Sequence, residues 1–214
     1  MRCNGNVKLV EIAPGAFHLP RYLALDKQRE VLDRCRALME GEVPGYVPTV
    51  RGGGVMHVRM LCLGRHWNGK LYQYEPTRSD FDGLAVPPLP NGLRELANEI
   101  AASTGMRLDA DLCIMNYYDA SGRMGLHQDK DESDDSLAAG RPVVSISIGD
   151  TARFLFGGLR RRDPVDAIAL ESGDAFVFGG PARLRHHGVS RIVPGTAPSE
   201  LHVAGRFNLT FRQY

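Results

Sequence analysis

Apolar residues recur at helical spacing in two places in the first half of the chain. Leu25, Val31, Leu32, Cys35, Leu38 and Met39 predict a helix over 26–40, with Asp26 placed to cap its start and Gly41 following its end. Leu93, Leu96, Ala97 and Ile100 form an i, i+3, i+4, i+7 stripe and predict a second helix over 92–104, with Asn91 before it and Gly105 after it. Between them, residues 41–54 are rich in Pro and Gly and read as loop. After residue 108 the period changes to that of strands. Candidate strands are 111–118, 142–149, 153–156, 167–170, 174–178, 184–187 and 203–212. Helices followed by many short strands predict an α+β fold, with the helices covering one face of a β sandwich or barrel.

The alternation also carries chemical information. In Arg206–Arg212, period two puts Arg206, Asn208, Thr210 and Arg212 on one face and Phe207, Leu209 and Phe211 on the other. Pro142–Gly149 repeats the arrangement, with Ser145 and Ser147 opposite Val144, Ile146 and Ile148. The aromatic face must be buried, and the helices are the elements available to cover it. A face with two arginines either meets solvent or lines a cavity that takes an anion, and the alternation alone leaves both open.

Composition narrows the class. The chain has 214 residues, 43% hydrophobic and 24% charged, which is enough for one domain with a real core. The formal net charge is +1, so any attraction to nucleic acid must come from a local basic patch. The four cysteines, Cys3, Cys35, Cys62 and Cys113, are far apart. They form no Cys-x-x-Cys ligand pair and read as thiols in a reducing compartment. No stretch approaches the roughly 20 apolar residues of a membrane span, and residues 1–20 lack an apolar leader core. A soluble, cytoplasmic, monomeric protein without membrane partners is the expectation.

The strongest chemical signal is His127-Gln128-Asp129 followed much later by His186-His187-Gly188. On an extended segment residues i and i+2 face the same way, so His127 and Asp129 can share one ion. His187 sits near the end of a predicted strand. Its neighbour His186 would face the opposite side. Two imidazoles and a carboxylate can hold one face of iron(II) and leave positions open for a cosubstrate and dioxygen. A lone His-x-Asp among seven histidines is a weak motif, and a surface turn in the acidic run 129–135 would account for it. Calcium fits poorly, because the sixth position of an EF-hand loop would be Asp134 and the twelfth Gly140. A metal centre beside the polar face of 206–212 favours the cavity reading. Arg206 and Arg212 then offer cations for a dicarboxylate, and Asn116 and Tyr118 offer neutral donors.

Taken together, Asn116-Tyr117-Tyr118, His127-Gln128-Asp129-Lys130-Asp131-Glu132, Phe156-Gly157-Gly158-Leu159, His187-Gly188 and Arg206-Phe207-Asn208-Leu209-Thr210-Phe211-Arg212 resemble the AlkB family, and most of all its bacterial repair enzymes. The resemblance runs over about residues 50–214. It implies a double-stranded β-helix (jelly roll) with N-terminal helices packed on one sheet. It further implies a single catalytic domain, 1–214, with a nucleotide-recognition lid at about 45–80. The implied activity is oxidative demethylation of N-alkylated bases of the 1-methyladenine and 3-methylcytosine type. Iron(II), 2-oxoglutarate and dioxygen would be consumed or used, and formaldehyde, succinate and carbon dioxide released. Single-stranded DNA is the implied partner, with duplex DNA and RNA as alternatives, because a base reaches a buried metal only by leaving the stack.

Carried over residue by residue, the resemblance makes His127, Asp129 and His187 the iron ligands. Arg206 and Arg212 would take the two ends of 2-oxoglutarate, with Asn116, Tyr118 and Asn208 as further contacts. Asp131 would meet the exocyclic group of the flipped base, and Arg161 would also touch substrate. Trp67, Tyr72 and Tyr74 would form the lid's stacking surface, with Met60 and Thr49 as weaker matches. His186 stands where an aromatic is common, and Gly125 where a small hydroxyl residue is common. Trp67, the single tryptophan, could equally be a core residue, although Arg65, His66, Asn68 and Lys70 around it have loop character. Arg160-Arg161-Arg162 with Arg183, Arg185 and Arg191 would make a phosphate-binding patch if they converge. Two rival classes stand beside this reading. One is a 2-oxoglutarate-dependent hydroxylase of RNA, protein or a small molecule. The other is a non-enzymatic jelly roll, which leaves Arg206, Arg212, Asn116 and Tyr118 without a purpose.

Overall fold

The computed structural model describes residues 8–214, so Cys3 lies outside the described residues. In chain order the main elements are β1 (Val10–Ala13), β2 (Ala16–Leu19), α1 (Leu25–Met39), β3 (Arg59–Leu63), β4 (His66–Asn68), β5 (Gln73–Glu75) and α2 (Asn91–Ser103). These are followed by β6 (Leu112–Tyr118), β7 (Met124–His127), α3 (Asp134–Ala138), β8 (Val143–Gly149) and β9 (Thr151–Phe156). The chain closes with β10 (Asp166–Leu170), β11 (Ala175–Phe178), β12 (His187–Val193) and β13 (Arg206–Arg212). A seven-stranded sheet of order β1-β2-β11-β8-β13-β6-β3 faces a four-stranded sheet of order β10-β9-β12-β7. Every pairing is antiparallel. This is the jelly roll. A separate hairpin, β4-β5, stands outside it.

The alternation in β13 decides how the layers stack. Phe207, Leu209 and Phe211 join Val31, Leu32, Cys35, Leu96, Ala97 and Ile100 of α1 and α2 in the principal core. The helices therefore cover the outer face of the large sheet, as the two periodicities require. The opposite face of β13 points between the sheets. A second core of Phe154, Phe156, Phe176 and Phe178 closes one end of that space. A third, small cluster of Tyr46, Met60, Cys62 and Ile114 lies beneath the β4-β5 hairpin, with Trp67 and Tyr74 packed on it.

Several sequence expectations are corrected. Helix α1 has Ala24 at its N-cap without a side-chain cap. Asp26 lies in the first turn and pairs with Arg29 at 2.7 Å instead. Helix α2 starts at Asn91 itself, with Pro90 as its N-cap. The expected strand 184–187 is loop as far as His186. The strand begins at His187 and runs to Val193, so this histidine opens β12 rather than ending a strand. Five strands also precede β6, where no strand was expected. β1 and β2 are four residues each around a turn at Gly15, too short for alternation to register. Gly15 has φ +80°, and a Cβ there would lie 2.5 Å from the Gly179 carbonyl. Among the described residues no helix is long and apolar enough to cross a membrane.

Candidate active site

Strand pairing builds the candidate metal centre. His127 ends β7 and His187 opens β12, and the two are direct partners in the antiparallel register. Their rings lie 4.4 Å apart, centroid to centroid. Asp129, two residues past the end of β7, presents its carboxylate to both. Oδ1 is 3.6 Å from His127 Nε2, and Oδ2 is 3.5 Å from His187 Nε2. One ligand atom from each of the three lies within 4.8 Å of the others. Each ring is oriented from behind: His127 Nδ1 lies 2.9 Å from the Gly125 carbonyl and His187 Nδ1 lies 3.1 Å from the Arg185 carbonyl. A carbonyl only accepts, so each Nδ1 donates and each Nε2 keeps its lone pair toward Asp129.

The charge states suit a ligand set. Burial, then the neighbouring His187 imidazole, push His127 down to about 4, so it is neutral at ordinary pH. Burial alone would raise Asp129, but the Arg212 guanidinium and then His187 hold it well below the usual carboxylate range. The three candidate ligands sit in a cavity of about 400 Å³, with Arg206, Asn208, Thr210 and Arg212 on one wall. The polar face of β13 therefore lines an interior, and the solvent alternative for it falls.

The two arginines are in different states. Arg206 is 1% exposed and donates once, from NH2 to Ser147 Oγ at 3.0 Å. Its Nε and NH1 have no hydrogen-bond partner. Its guanidinium lies over the Tyr118 ring at 5.4 Å. Burial pushes it down to about 10, a sign that the site lacks a countercharge of its own. Asn116 Oδ1 is buried without a partner nearby on the neighbouring strand β6, where Asn116 pairs Asn208 in register. Asn208 Nδ2 donates to Ser145 Oγ at 2.7 Å. Tyr118 lines the same cavity, and its hydroxyl meets Met124 Sδ at 3.9 Å. Arg212 is paired with carboxylates: NH2 is 2.7 Å from Asp129 Oδ2, Nε lies 3.2 Å from Glu132 Oε1 without forming a hydrogen bond, and NH1 donates to the Tyr74 hydroxyl at 3.1 Å.

The other expected residues fall around the mouth. Trp67 lines the cavity, and its Nε1–H donates to Asp131 Oδ2 at 2.8 Å. This Trp is therefore not a plain core residue. Tyr72 is exposed with φ +56° and meets Trp67 edge-on at 5.9 Å. Tyr74 comes from β5, and Met60 lies behind it. Thr49 bridges Val55 in the loop before β3. Arg161 stands at the rim, donating to the Leu126 carbonyl at 2.7 Å. His186 also lines the cavity but turns its Nδ1 toward the Gly158 carbonyl, 3.4 Å away. The arginines do not converge on one patch. Arg183 is buried, and Arg185 donates to the Gly157 carbonyl and lies over Phe156.

Comparison with known proteins decides the family. The family model described as the 2OG-Fe(II) oxygenase superfamily matches residues 15–212. An alpha-ketoglutarate-dependent dioxygenase AlkB homolog of Caulobacter vibrioides is 36% identical over 96% of this chain and 90% of its own length. The chain belongs to the AlkB family of 2OG-Fe(II) oxygenases. Its AlkB relatives include the Escherichia coli alpha-ketoglutarate-dependent dioxygenase AlkB, 38% identical over 76% of this chain and 74% of that one. The likeness extends beyond bacteria. An Arabidopsis thaliana protein named DNA N(6)-methyladenine demethylase ALKBH1C is 40% identical over 95% of this chain, which spans about half (49%) of that relative's length. The solved structure of OsALKBH1 superposes with a TM-score of 0.91 at 39% identity, covering 97% of this chain and 100% of that one.

AlkB membership brings iron(II), 2-oxoglutarate and dioxygen as metal and cosubstrates, and the residues present fit them. The His127–Asp129–His187 set presents two imidazole nitrogens and one carboxylate on one face. A buried guanidinium with two free donors, beside an unpartnered amide oxygen, suits a carboxylate end of the dicarboxylate.

Sequence reasoning missed one part of the candidate site. Glu132 is buried and accepts from Arg183 NH2 at 2.8 Å, while Arg183 NH1 donates to the Asp129 carbonyl. The same carboxylate meets Arg212 Nε and accepts from the Tyr74 hydroxyl at 3.3 Å. Glu132 was concealed in an acidic run that reads as solvated, and Arg183 in a set of arginines read as surface. No local signal separates them from their exposed neighbours.

Proposed function

We propose that this chain is an iron(II)- and 2-oxoglutarate-dependent oxidative demethylase of N-alkylated nucleobases in DNA. His127, Asp129 and His187 hold the metal. Arg206, with Asn116, Tyr118 and Asn208, holds one end of 2-oxoglutarate, and Arg212 the other. When bound, iron with 2-oxoglutarate and dioxygen supplies the oxidant for a C–H bond, and the cosubstrate leaves as succinate and carbon dioxide. Oxidation of an N-methyl carbon gives a hemiaminal that releases formaldehyde and the unmodified base.

The single observation that carries this reading is the join between mouth and metal. Trp67 and Asp131 are hydrogen-bonded to each other on the wall of the cavity whose floor holds His127, Asp129 and His187. An aromatic face stacks on a flipped base and is indifferent to its sequence. Hydrogen bonding by Trp67 fixes the Asp131 carboxylate, which then favours a base that carries positive charge on the ring. Bases methylated at adenine N1 or cytosine N3 are such cations, and single strands present them at lower flipping cost. Tyr72, Tyr74 and Arg161 complete the rim, and the segment of about 45–80 that carries the aromatics acts as the lid. A hydroxylase of a small acid has no use for this aromatic mouth.

The test is formaldehyde release from a single strand holding one 1-methyladenine, with iron(II), 2-oxoglutarate and oxygen. His187→Ala is expected to abolish release, and undiminished release in that variant sinks the ligand assignment. Parallel strands carrying 3-methylcytosine and N(6)-methyladenine rank cationic against neutral bases. Faster turnover of the neutral base would overturn the role given to Asp131. RNA strands of the same sequence rank the two nucleic acids.

A further inference from the structure

We propose that the outer face of the four-stranded sheet is a phosphate-binding groove, which takes the backbone of the strand whose modified base enters the cavity. This rests on the nucleic-acid reading above and adds the path of the strand. A groove of about 370 Å³ lies outside β7, β9 and β12. Met56, Met124, Gly125 and Val189 line both this groove and the catalytic cavity, so the two adjoin across these residues. Gly125 sits at the join, where an added Cβ would meet nothing within 4 Å. A strand crossing there has open space above Gly125.

Charge gives the groove its occupant. Arg123 and His57 lie on its wall, with Arg123 NH2 donating to His57 Nε2 at 2.9 Å. Further along the same face, Arg153 of β9 and Arg191 of β12 are direct cross-strand partners, and both are exposed. Residues i and i+2 of a strand share a face, so Arg153 is on the side of Leu155, which lines the groove. Like charges directly opposite on a sheet are unfavourable unless an anion sits between them.

Among the described residues, Arg123, Arg153 and Arg191 form no ion pair. Elsewhere Arg29 is matched with Asp26, Arg94 with Asp109 and Arg160 with Asp163, while Arg34, Arg107 and Arg162 are exposed without an ion pair but lie outside this face. The neighbouring Asp119 is held below the usual carboxylate range mainly by Ser121, whose N and Oγ donate to its Oδ1 at 2.7 Å each. Beside the arginines, Ala167 and Ala169 of β10 are exposed opposite Leu155 and Arg153, which keeps the face low. A low, unpaired basic row leading into a base-sized cavity fits a sugar-phosphate backbone, with the guanidinium forks on its phosphates.

The experiment uses the intact chain loaded with manganese(II) and 2-oxoglutarate. It compares two single strands holding one 1-methyladenine, one of about five nucleotides and one of about fifteen. Binding is read by fluorescence anisotropy over a salt series. The variants are Arg153→Ala/Arg191→Ala and Arg153→Lys/Arg191→Lys, whose thermal melts establish that both fold. The alanine pair is expected to weaken the long strand about tenfold and leave the short one unchanged. Its plot of log affinity against log salt should flatten by about 1.4, since each phosphate no longer neutralised on a single strand accounts for about 0.7. The lysine pair should restore most of the slope. Normal binding and an unchanged slope in the alanine pair overturn the groove while leaving the demethylase reading intact. Failure of the parent chain to bind either strand, and of the iron(II)-loaded chain to turn over either, overturns both. Retention by the groove of an acidic peptide, in preference to the long strand, also overturns the assignment.

Discussion

Arg206 and Arg212 sit six residues apart on one strand and have opposite electrostatic situations. Arg212 is neutralised by Asp129 and Glu132. Arg206 has a hydroxyl and a ring face, with two donors left over. Removing one partner of a buried ion pair costs about 3–5 kcal/mol, whereas removing a lone buried charge relieves a desolvation penalty that no partner offsets. Arg206→Met is therefore expected to melt at or above the temperature of the parent chain without ligand. It should also lose the stabilisation that 2-oxoglutarate gives the parent chain. A thermal melt with and without 2-oxoglutarate reads both, and a variant still stabilised by the cosubstrate would remove Arg206 from its site. Arg183→Lys tests the neighbouring brace. Lysine keeps the charge but cannot span the Asp129 carbonyl and Glu132 together. Loss of such an outer support costs about 10–100-fold in metal affinity. Titration with manganese(II) followed by electron spin resonance checks this, with circular dichroism as the fold control.

At the scale of elements, the histidines are brought together by register and not by proximity in sequence. A slip of one residue between β7 and β12 would turn His187 away from His127. The bulge between His187 and Val189 sits beside this pairing. Turns that fix such registers therefore matter as much as the ligands. Asp150, in the turn between β8 and β9, accepts from Thr196 N at 2.9 Å, Ala197 N at 3.0 Å and Gly205 N at 3.0 Å. Asp150→Ala strands those donors and is expected to cost about 2–4 kcal/mol in urea unfolding. The turnover of the fraction that remains folded should be unchanged. A change below about 0.5 kcal/mol, the range of an ordinary surface substitution, would mean that the turn is not needed. Elements with strong periodicity, α1, α2, β6, β8 and β13, were legible from the sequence. β1, β2 and β7 were not, because each is four residues long and takes its pairing from distant strands. The first residue of β12 was misplaced because both imidazoles of His186-His187 suit either a strand or a loop.

Across the whole molecule, the site is a seam between the two sheets. His127 and His187 belong to the small sheet, and Asn116, Arg206, Asn208 and Arg212 belong to the large one. A metal and a dicarboxylate bound together thus fasten one layer to the other. Ligand at about a hundredfold over its Kd stabilises the folded state by about 2.7 kcal/mol. Manganese(II) with 2-oxoglutarate is expected to raise Tm in a single transition for the parent chain and to leave Tm of His187→Ala unmoved. Chelation should reverse the gain. Separate transitions would mean that the layers are not fastened through the site.

The sequence by itself determined the helices, the two-faced strands, the candidate ligand residues and the resemblance that joins them. These are local properties, set by side-chain periodicity and by which residue types can hold a metal or a carboxylate. Tertiary structure alone decided which side of β13 is interior, that His187 faces Asp129, and that Arg206 lacks a countercharge while Arg212 has two. It also drew Glu132 and Arg183 out of charged runs and into the core. The reason is physical: pairing register and burial come from contacts between residues far apart in the chain. A carboxylate or guanidinium has the same local signature whether water or another chain segment neutralises it.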